Sequence, residues 1–274
     1  MKRLNWAGAL AVLLCAWGAQ AADMPPLPAA IKEAGVLKVG VRCDQPPYGY
    51  QDQKGEFAGI EVDMAKTIAD WAFGSPSKIE MTCVTADNRI PQLNARKVDL
   101  LIATLGMTPE RARVIDFTKG YNWGGSDVTV PKDSPIKSLA DLKGKTLAVL
   151  KGTTQAAWLE AKMPDVDLLK LNSVADGVQA VKQGRAVGFA GDKATAVVIV
   201  GRDPALRMVG QPYAITEGGI GVRKNEPEWL AYLNAAIDRM RAEKMFGPWI
   251  DKWVPAENRP LFIEAFTTPK PAEG

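Results

Sequence analysis

Three short stretches carry groups suited to gripping charge. The first, Ala103-Thr104-Leu105-Gly106-Met107-Thr108-Pro109-Glu110-Arg111, follows an apolar run and sets Thr108 at a helix N-cap with Pro109 at N1. Backbone N–H groups at such a helix start point outward. They and the Thr hydroxyl can bind a carboxylate, with the Arg111 guanidinium closing over it as a two-pronged donor. A capped surface helix with a solvated Arg would read the same way. Gly152-Thr153-Thr154-Gln155 offers a second set of N–H donors at a helix N-terminus, or a turn with a cap. Gly191-Asp192 follows another strand and supplies a carboxylate, although an N-cap is the default for an Asp in that place.

The chemistry open to these groups is bounded by what the chain lacks. Its 274 residues include no His. A Ser-His-Asp or Cys-His mechanism needs a base titrating near neutrality, and zinc and haem sites usually recruit imidazole, so these classes are disfavoured and no metal or cofactor is expected. At 47% hydrophobic, 24% charged and 7% aromatic, the composition is that of a globular protein with one large or two medium domains. It argues against disorder and against a polytopic membrane protein.

At the N-terminus, Lys2 and Arg3 precede an apolar run from Trp6 to Ala19 that ends in Ala19-Gln20-Ala21, a small-x-small site for a signal peptidase. The run is shorter than the roughly 20 apolar residues that span a bilayer, and Pro25, Pro26 and Pro28 follow at once. Residues 1–21 therefore read as a signal peptide, and the remainder as exported and soluble. Cys15 lacks the small residue before it that a lipid anchor wants. Cleavage leaves 253 residues with 32 basic against 31 acidic side chains, because Lys2 and Arg3 leave with the signal. No basic tract then points to nucleic acid or an anionic membrane as partner. Two cysteines remain, Cys43 and Cys83, each at the end of an expected strand; a disulfide and two separate buried thiols both stay open.

The elements that must position these groups follow from the hydrophobic periods. Val36 to Val41 reads as a buried strand and Gly59 to Ala72 as a helix, with Ile60, Met64, Ile68 and Trp71 on one stripe. Glu61 and Asp63 fall in its first turn, where a place on the polar face favours the positive end of the helix dipole. A strand near Ile79 to Val84, a helix holding Arg89, Ile90, Leu93 and Ala95, and a strand at Val98 to Ala103 complete β-α-β-α-β, which demands a mostly parallel sheet with ligands bound beyond its carboxyl ends. A second α/β unit follows: a short helix at Ser138 to Leu142, a strand at Lys145 to Leu150, a helix at Thr154 to Lys162, a strand at Val166 to Leu171, a helix at Ser173 to Gln183 and a strand at Ala186 to Ala190. Ile220 to Arg223 is a short strand, and Pro227 to Arg241 and Phe246 to Trp253 are helices; the tail after Pro260 has few packing residues.

The run Gly59-Ile60-Glu61-Val62-Asp63-Met64 with Ile68 and Ala69 resembles the signature of the bacterial extracellular solute-binding proteins of family 3, amino-acid receptors of ABC importers. Asp44-Gln45-Pro46-Pro47-Tyr48-Gly49, Asn88-Arg89-Ile90-Pro91, Val98-Asp99, Thr108-Pro109-Glu110-Arg111, Asp116-Phe117, Leu139-Ala140-Asp141-Leu142-Lys143-Gly144 and Gly152-Thr153-Thr154-Gln155 resemble further family motifs in the family's order. The resemblance runs from about Val36 to Trp253. It implies an α/β two-lobe periplasmic binding protein fold of type II, each lobe a mostly parallel sheet flanked by helices, joined by two crossover strands. Lobe 1 is expected over 22–126 and 214–260, lobe 2 over 127–213, and a loose tail over 261–274.

By position, the resemblance assigns Arg111 to the ligand α-carboxylate, assisted by Thr104 and the backbone at Gly106 and Thr154, and Asp192 to the α-ammonium. Gly106 stands where many relatives have Ser or Thr, which puts one hydroxyl contact in doubt. Arg42 and Arg89 occupy loops at the cleft mouth, where family members that bind glutamate and aspartate also carry basic residues. Three guanidinium groups against Asp192 leave excess positive charge, which a side-chain carboxylate would neutralise. The expectation is a periplasmic monomer that binds glutamate or aspartate, delivers it to an inner-membrane permease and is no enzyme. The alternative for Arg42 is solvent exposure or pairing with Asp44 or Glu61. Trp123 could line the cleft or pack the hinge. A periplasmic prephenate or arogenate dehydratase on the same fold is the rival, with Asp192 and Glu217 as candidate acids. With Arg and Asp as binding groups, affinity should be nearly flat between about pH 6 and 8.

Overall fold

Strands and helices alternate as the hydrophobic periods require. The computed structural model describes residues 24–271, and the expected signal peptide lies outside them. After α1 (Ala29–Ala34) come β1 (Leu37–Val41), β2 (Asp44–Gln45), β3 (Gly49–Gln51), β4 (Phe57–Ala58), α2 (Ile60–Phe73), β5 (Ile79–Cys83), α3 (Arg89–Asn94), β6 (Leu100–Ile102), α4 (Pro109–Ala112) and β7 (Asp116–Phe117). β8 (Asn122–Pro131) then leads into β9 (Thr146–Leu150), α5 (Thr154–Lys162), β10 (Asp167–Leu171), α6 (Val174–Lys182), β11 (Phe189–Asp192), α7 (Lys193–Arg202) and β12 (Leu206–Met208). β13 (Tyr213–Gly218) returns, followed by β14 (Gly221–Val222), α8 (Pro227–Ala242), α9 (Phe246–Trp253) and α10 (Arg259–Thr267).

One sheet runs β5-β1-β6-β14-β7, its first three strands parallel; the other runs β10-β9-β11-β8-β12, again with three parallel strands. β8 pairs antiparallel with β13, Asn122 opposite Gly218 and Ser126 opposite Tyr213, and these two strands carry the chain between the lobes. Each sheet has its own buried clusters, Val39, Ile60, Met64 and Ile237 in the first lobe and Val128, Leu147, Val149 and Leu159 in the second.

Two sequence expectations are corrected. Glu61 and Asp63 do not lie on a polar face; both are buried. α9 covers that side of α2, with Lys252 Nζ (3.0 Å) and Trp253 Nε1 (2.7 Å) donating to Asp63. A helix packed on two sides has no wholly wet face, and its acids persist only with specific donors. The tail is not loose either. Phe262 and Phe266, one helical turn apart on α10, are buried against Tyr48, Tyr121 and Phe246 with ring centroids 5.2 to 6.2 Å apart. α10 completes the first lobe's core through Thr267. The strand expected at Ala186 to Ala190 lies slightly later, and α7 directly follows it.

Candidate functional site

Because β1 runs parallel to both β5 and β6, the three carboxyl ends open on one edge, and the loops after them share it. Val41 is opposite Cys83 in that register, which brings Cys43 within bonding range; Cys43 and Cys83 form a disulfide with Cα atoms 5.4 Å apart. The bridge fixes the residue on each side of Cys43. Arg42, 2% exposed, donates through Nε and Nη2 to Asp44 Oδ1 at 3.0 and 2.7 Å. Asp44 Oδ2 accepts from Val174 N (3.2 Å) at the start of α6 in the other lobe, where the helix dipole favours a carboxylate. The alternative of an Arg42–Asp44 pair is therefore the observed one, and Arg42 is not an uncompensated cation. Its Nη1 stays outside that pair.

Arg89 opens α3 and is also buried. Its Nη1 donates to the carbonyls of Ala103 and Thr104, and its Nε has no partner. Burial, with Arg111 and Arg42 nearby, pulls its pKa well below the usual guanidinium value. Thr104 follows β6 with φ +48, a left-handed conformation that β-branched residues rarely adopt. Its N–H donates to Glu61 Oε1 (2.8 Å), which also accepts from Tyr121 OH, and its Oγ1 lies 3.0 Å from Gln45 Oε1. Burial pushes Glu61 up to about 7 against these donors and against Arg42 and Arg89. The expected flat pH response therefore rested on an incomplete set of titrating groups.

Arg111 closes the first lobe's loop. Thr108 caps α4 by accepting from Arg111 N (3.3 Å), as its spacing predicts. The guanidinium donates from Nη1 to the Gly106 carbonyl and from Nη2 to the Gly152 carbonyl (2.9 Å) in the second lobe. A Cβ on Gly106 would stand 3.3 Å from Thr154 Cγ2 and 3.5 Å from Arg111 Nη1, so these three residues converge. Gly152, at φ +69, lets the lobes touch, since a Cβ there would lie 2.6 Å from Asp87 Cα.

From the second lobe, Thr153 caps α5 and Asp192 ends β11. Asp192 holds the N-cap position of α7, yet its side chain makes no cap bond. It accepts instead from Gln155 Nε2 (3.0 Å) and, across the lobes, from Gln45 Nε2; burial raises its pKa. Arg42, Gln45, Gln155, Asp192 and Thr195 line a cavity of about 20 Å³, room for about one water. A cleft of about 970 Å³ lies beyond, lined by Arg111, Thr154, Trp158, Tyr213 and Glu217. Trp123 packs the hinge, its Nε1 donating to the Thr268 carbonyl (3.0 Å).

Of the expected site residues, Arg42, Thr104, Gly106, Arg111, Thr154 and Asp192 meet between the lobes, and Arg89 braces the Thr104 loop from behind. Gln45, Gln155 and Glu61 were missed as site residues. All three stood inside motifs already singled out, but a role for them shows only once their partners are known. Among the described residues no cluster of His, Cys, Asp and Glu could hold a metal, and no helix is long and apolar enough to cross a membrane.

The family model for bacterial extracellular solute-binding proteins, family 3, matches residues 37–256. The ABC transporter glutamine-binding protein of Bacillus subtilis is 30% identical over 84% of this chain and 86% of its own length. Among solved structures, the solute receptor for L-cysteine of Neisseria gonorrhoeae superposes with a TM-score of 0.77 at 35% identity, covering 84% of this chain and 97% of that one. An ancestral amino acid-binding protein, a precursor of cyclohexadienyl dehydratase, gives 0.75 at 29% identity over 82% and 98%.

Proposed function

The chain belongs to the bacterial extracellular solute-binding proteins of family 3, and from that premise we propose that it captures an α-amino acid between its lobes, glutamate or aspartate, and delivers it to an inner-membrane ABC permease. The observation that carries this reading is a half-buried guanidinium and a half-buried carboxylate on opposite sides of the seam between the lobes: Arg111 of the first donates to the Gly152 carbonyl of the second, Asp192 of the second accepts from Gln45 of the first, and the Asp192 charge is felt at Arg111. Arg111, with the Thr104 hydroxyl and the N–H groups of Gly106 and Thr154, takes the α-carboxylate. Asp192 takes the α-ammonium, exchanging Gln45 and Gln155 for it. Each charge-assisted bond contributes roughly 1.5–3 kcal/mol, enough in sum to offset desolvation of both charges. Lobe 1 over 22–126 and 214–260 and lobe 2 over 127–213 rotate about β8 and β13, with α10 added to the first lobe. Cleavage after Ala21 exports a monomer to the periplasm.

The acidic side chain follows from the remaining cations. Asp44 engages one edge of Arg42 and leaves Nη1 for a ligand carboxylate. Glu61, near 7, is only partly ionised at neutrality, so three guanidinium groups still outweigh the acids. The Arg42–Asp44 pair also favours a second reading, a neutral polar amino acid, for which less excess charge is needed. Calorimetric titration with the twenty amino acids separates the two: heat from glutamate or aspartate supports the first, and tight binding of glutamine or cysteine alone selects the second. For a dehydratase, Asp192 is the acid of raised pKa that lines the cavity, and loss of prephenate absorbance on incubation would establish that activity.

A further inference from the structure

A carboxylate buried with one oxygen unpartnered requires an explanation. Glu61 is 0% exposed; Oε1 accepts from Thr104 N and Tyr121 OH, while Oε2 has no hydrogen-bond partner. One donor lies on the binding loop and the other at the start of the strand pair that joins the lobes. Thr104 sits in the left-handed region on the loop that ends in Arg111, and Met107 N of that loop donates to Glu217 O of β13 (2.8 Å). Tyr121 immediately precedes β8, and its N–H donates to Gly218 O at the end of β13 (2.9 Å). One side chain on α2 thus joins the binding loop to the start of the hinge. The titratable groups around it are Arg42 from the loop after β1, Arg89 from α3, and Tyr48 and Tyr121 from the loops before β3 and β8.

We propose that Glu61 is a positioning residue of the binding site: Oε1 holds Thr104 in its left-handed conformation and ties it to the hinge through Tyr121, while a proton on Oε2 sets how much positive charge Arg42 and Arg89 present to the ligand. This rests on the reading of the cleft as an amino-acid site. Protonated Glu61 leaves the charge of Arg42 and Arg89 offset only by Asp44, so the pair attracts an anion more strongly. Ionised Glu61 competes with that anion for them, so an acidic ligand binds more weakly as pH rises through about 7, the value to which burial pushes the group. Binding above neutrality then takes up a proton. Asp192, whose pKa burial also raises, meets an ammonium, which favours its ionised form, so it releases protons instead.

The test compares the wild type with Glu61→Gln and Glu61→Ala by calorimetric titration at pH 6 and pH 8, in two buffers of different ionisation enthalpy. Glutamate is the probe, or glutamine if that proves to be the ligand. For glutamate, wild-type affinity falls about three- to tenfold between the two pH values, with proton uptake at pH 8. Gln can still accept from Thr104 and Tyr121, so E61Q binds at pH 6 much as wild type does and loses both the pH dependence and the uptake. E61A loses at least about tenfold at both pH values. A wild-type pH profile in E61Q, or wild-type affinity in E61A, overturns the proposal. Unfolding midpoints of ligand-free wild type and E61Q between pH 5 and 8 give a readout independent of any ligand. If no amino acid binds, the functional reading fails, and equal pH slopes in the two proteins would overturn the proton on Glu61 separately.

Discussion

Arg111 and Asp192 were readable as a pair of opposite charges beyond strand ends, and the structure sets them across the two lobes. Removing the guanidinium deletes two or more charge-assisted bonds, so Arg111→Ala should weaken ligand binding by at least about 100-fold. Its unfolding midpoint without ligand should change little; comparable losses in both would mean Arg111 is structural. Glu61 carries a second expectation. Its carboxyl titrates near 4.5 unfolded and at about 7 folded. Between those values the folded chain holds a proton that the unfolded chain has released, so stability from this group is full below 4.5 and falls as pH rises to 7, by about 3 kcal/mol. Denaturant titrations at pH 5 and 7.5 on wild type and E61Q measure it as the part of the loss that E61Q lacks, since Asp127 and Asp192, also raised by burial, contribute equally to both proteins. Sequence pattern missed this residue because a first-turn acid looks like a dipole partner unless the second packing surface is known.

At the scale of elements, the disulfide is what makes the Arg42 loop a fixed part of the site. The sequence left bridge and thiols equally open; the parallel register of β1 with β5 decides, since it sets Val41 beside Cys83. Closing a loop of 40 residues should contribute about 4 kcal/mol by chain entropy. Reduction should therefore lower the unfolding midpoint by about 10 °C and weaken binding as Arg42 and Asp44 gain freedom; an unchanged midpoint would argue that the bridge adds nothing. Helices with a clear apolar stripe, α2, α6, α8 and α9, were legible to within a residue or two. α7 was not, because Val197-Val198-Ile199-Val200 is apolar on every side and shows no 3.6-residue period. α10 was not, because Leu261, Phe262, Ile263 and Phe266 form an apolar segment too short to show a repeated stripe, and its buried face is declared only when Tyr48, Tyr121 and Phe246 are seen to receive it.

At the scale of the whole molecule, the contacts between the two α/β lobes include three that involve charge, Arg111 on the Gly152 carbonyl, Gln45 on Asp192 and Asp44 on the first turn of α6, beside neutral ones such as Gln45 on Thr195. In the proposed reading, a ligand's carboxylate and ammonium take over the Arg111 and Asp192 contacts, so one small zwitterion substitutes for bonds between the lobes and biases the hinge. Alternation of strands and helices made the lobes legible, and the order of motifs made the family legible. The balance of charge inside the cleft was legible only in part: pairing of Arg42 with Asp44 or Glu61 stood among the alternatives, but which acid it takes and the burial of Glu61 show only in the folded chain. The most direct test is calorimetric titration of the purified protein with each of the twenty amino acids at pH 6. The account predicts tight binding of glutamate or aspartate that Arg111→Ala abolishes, and tight binding of a neutral or basic amino acid with no heat from either acid would contradict it.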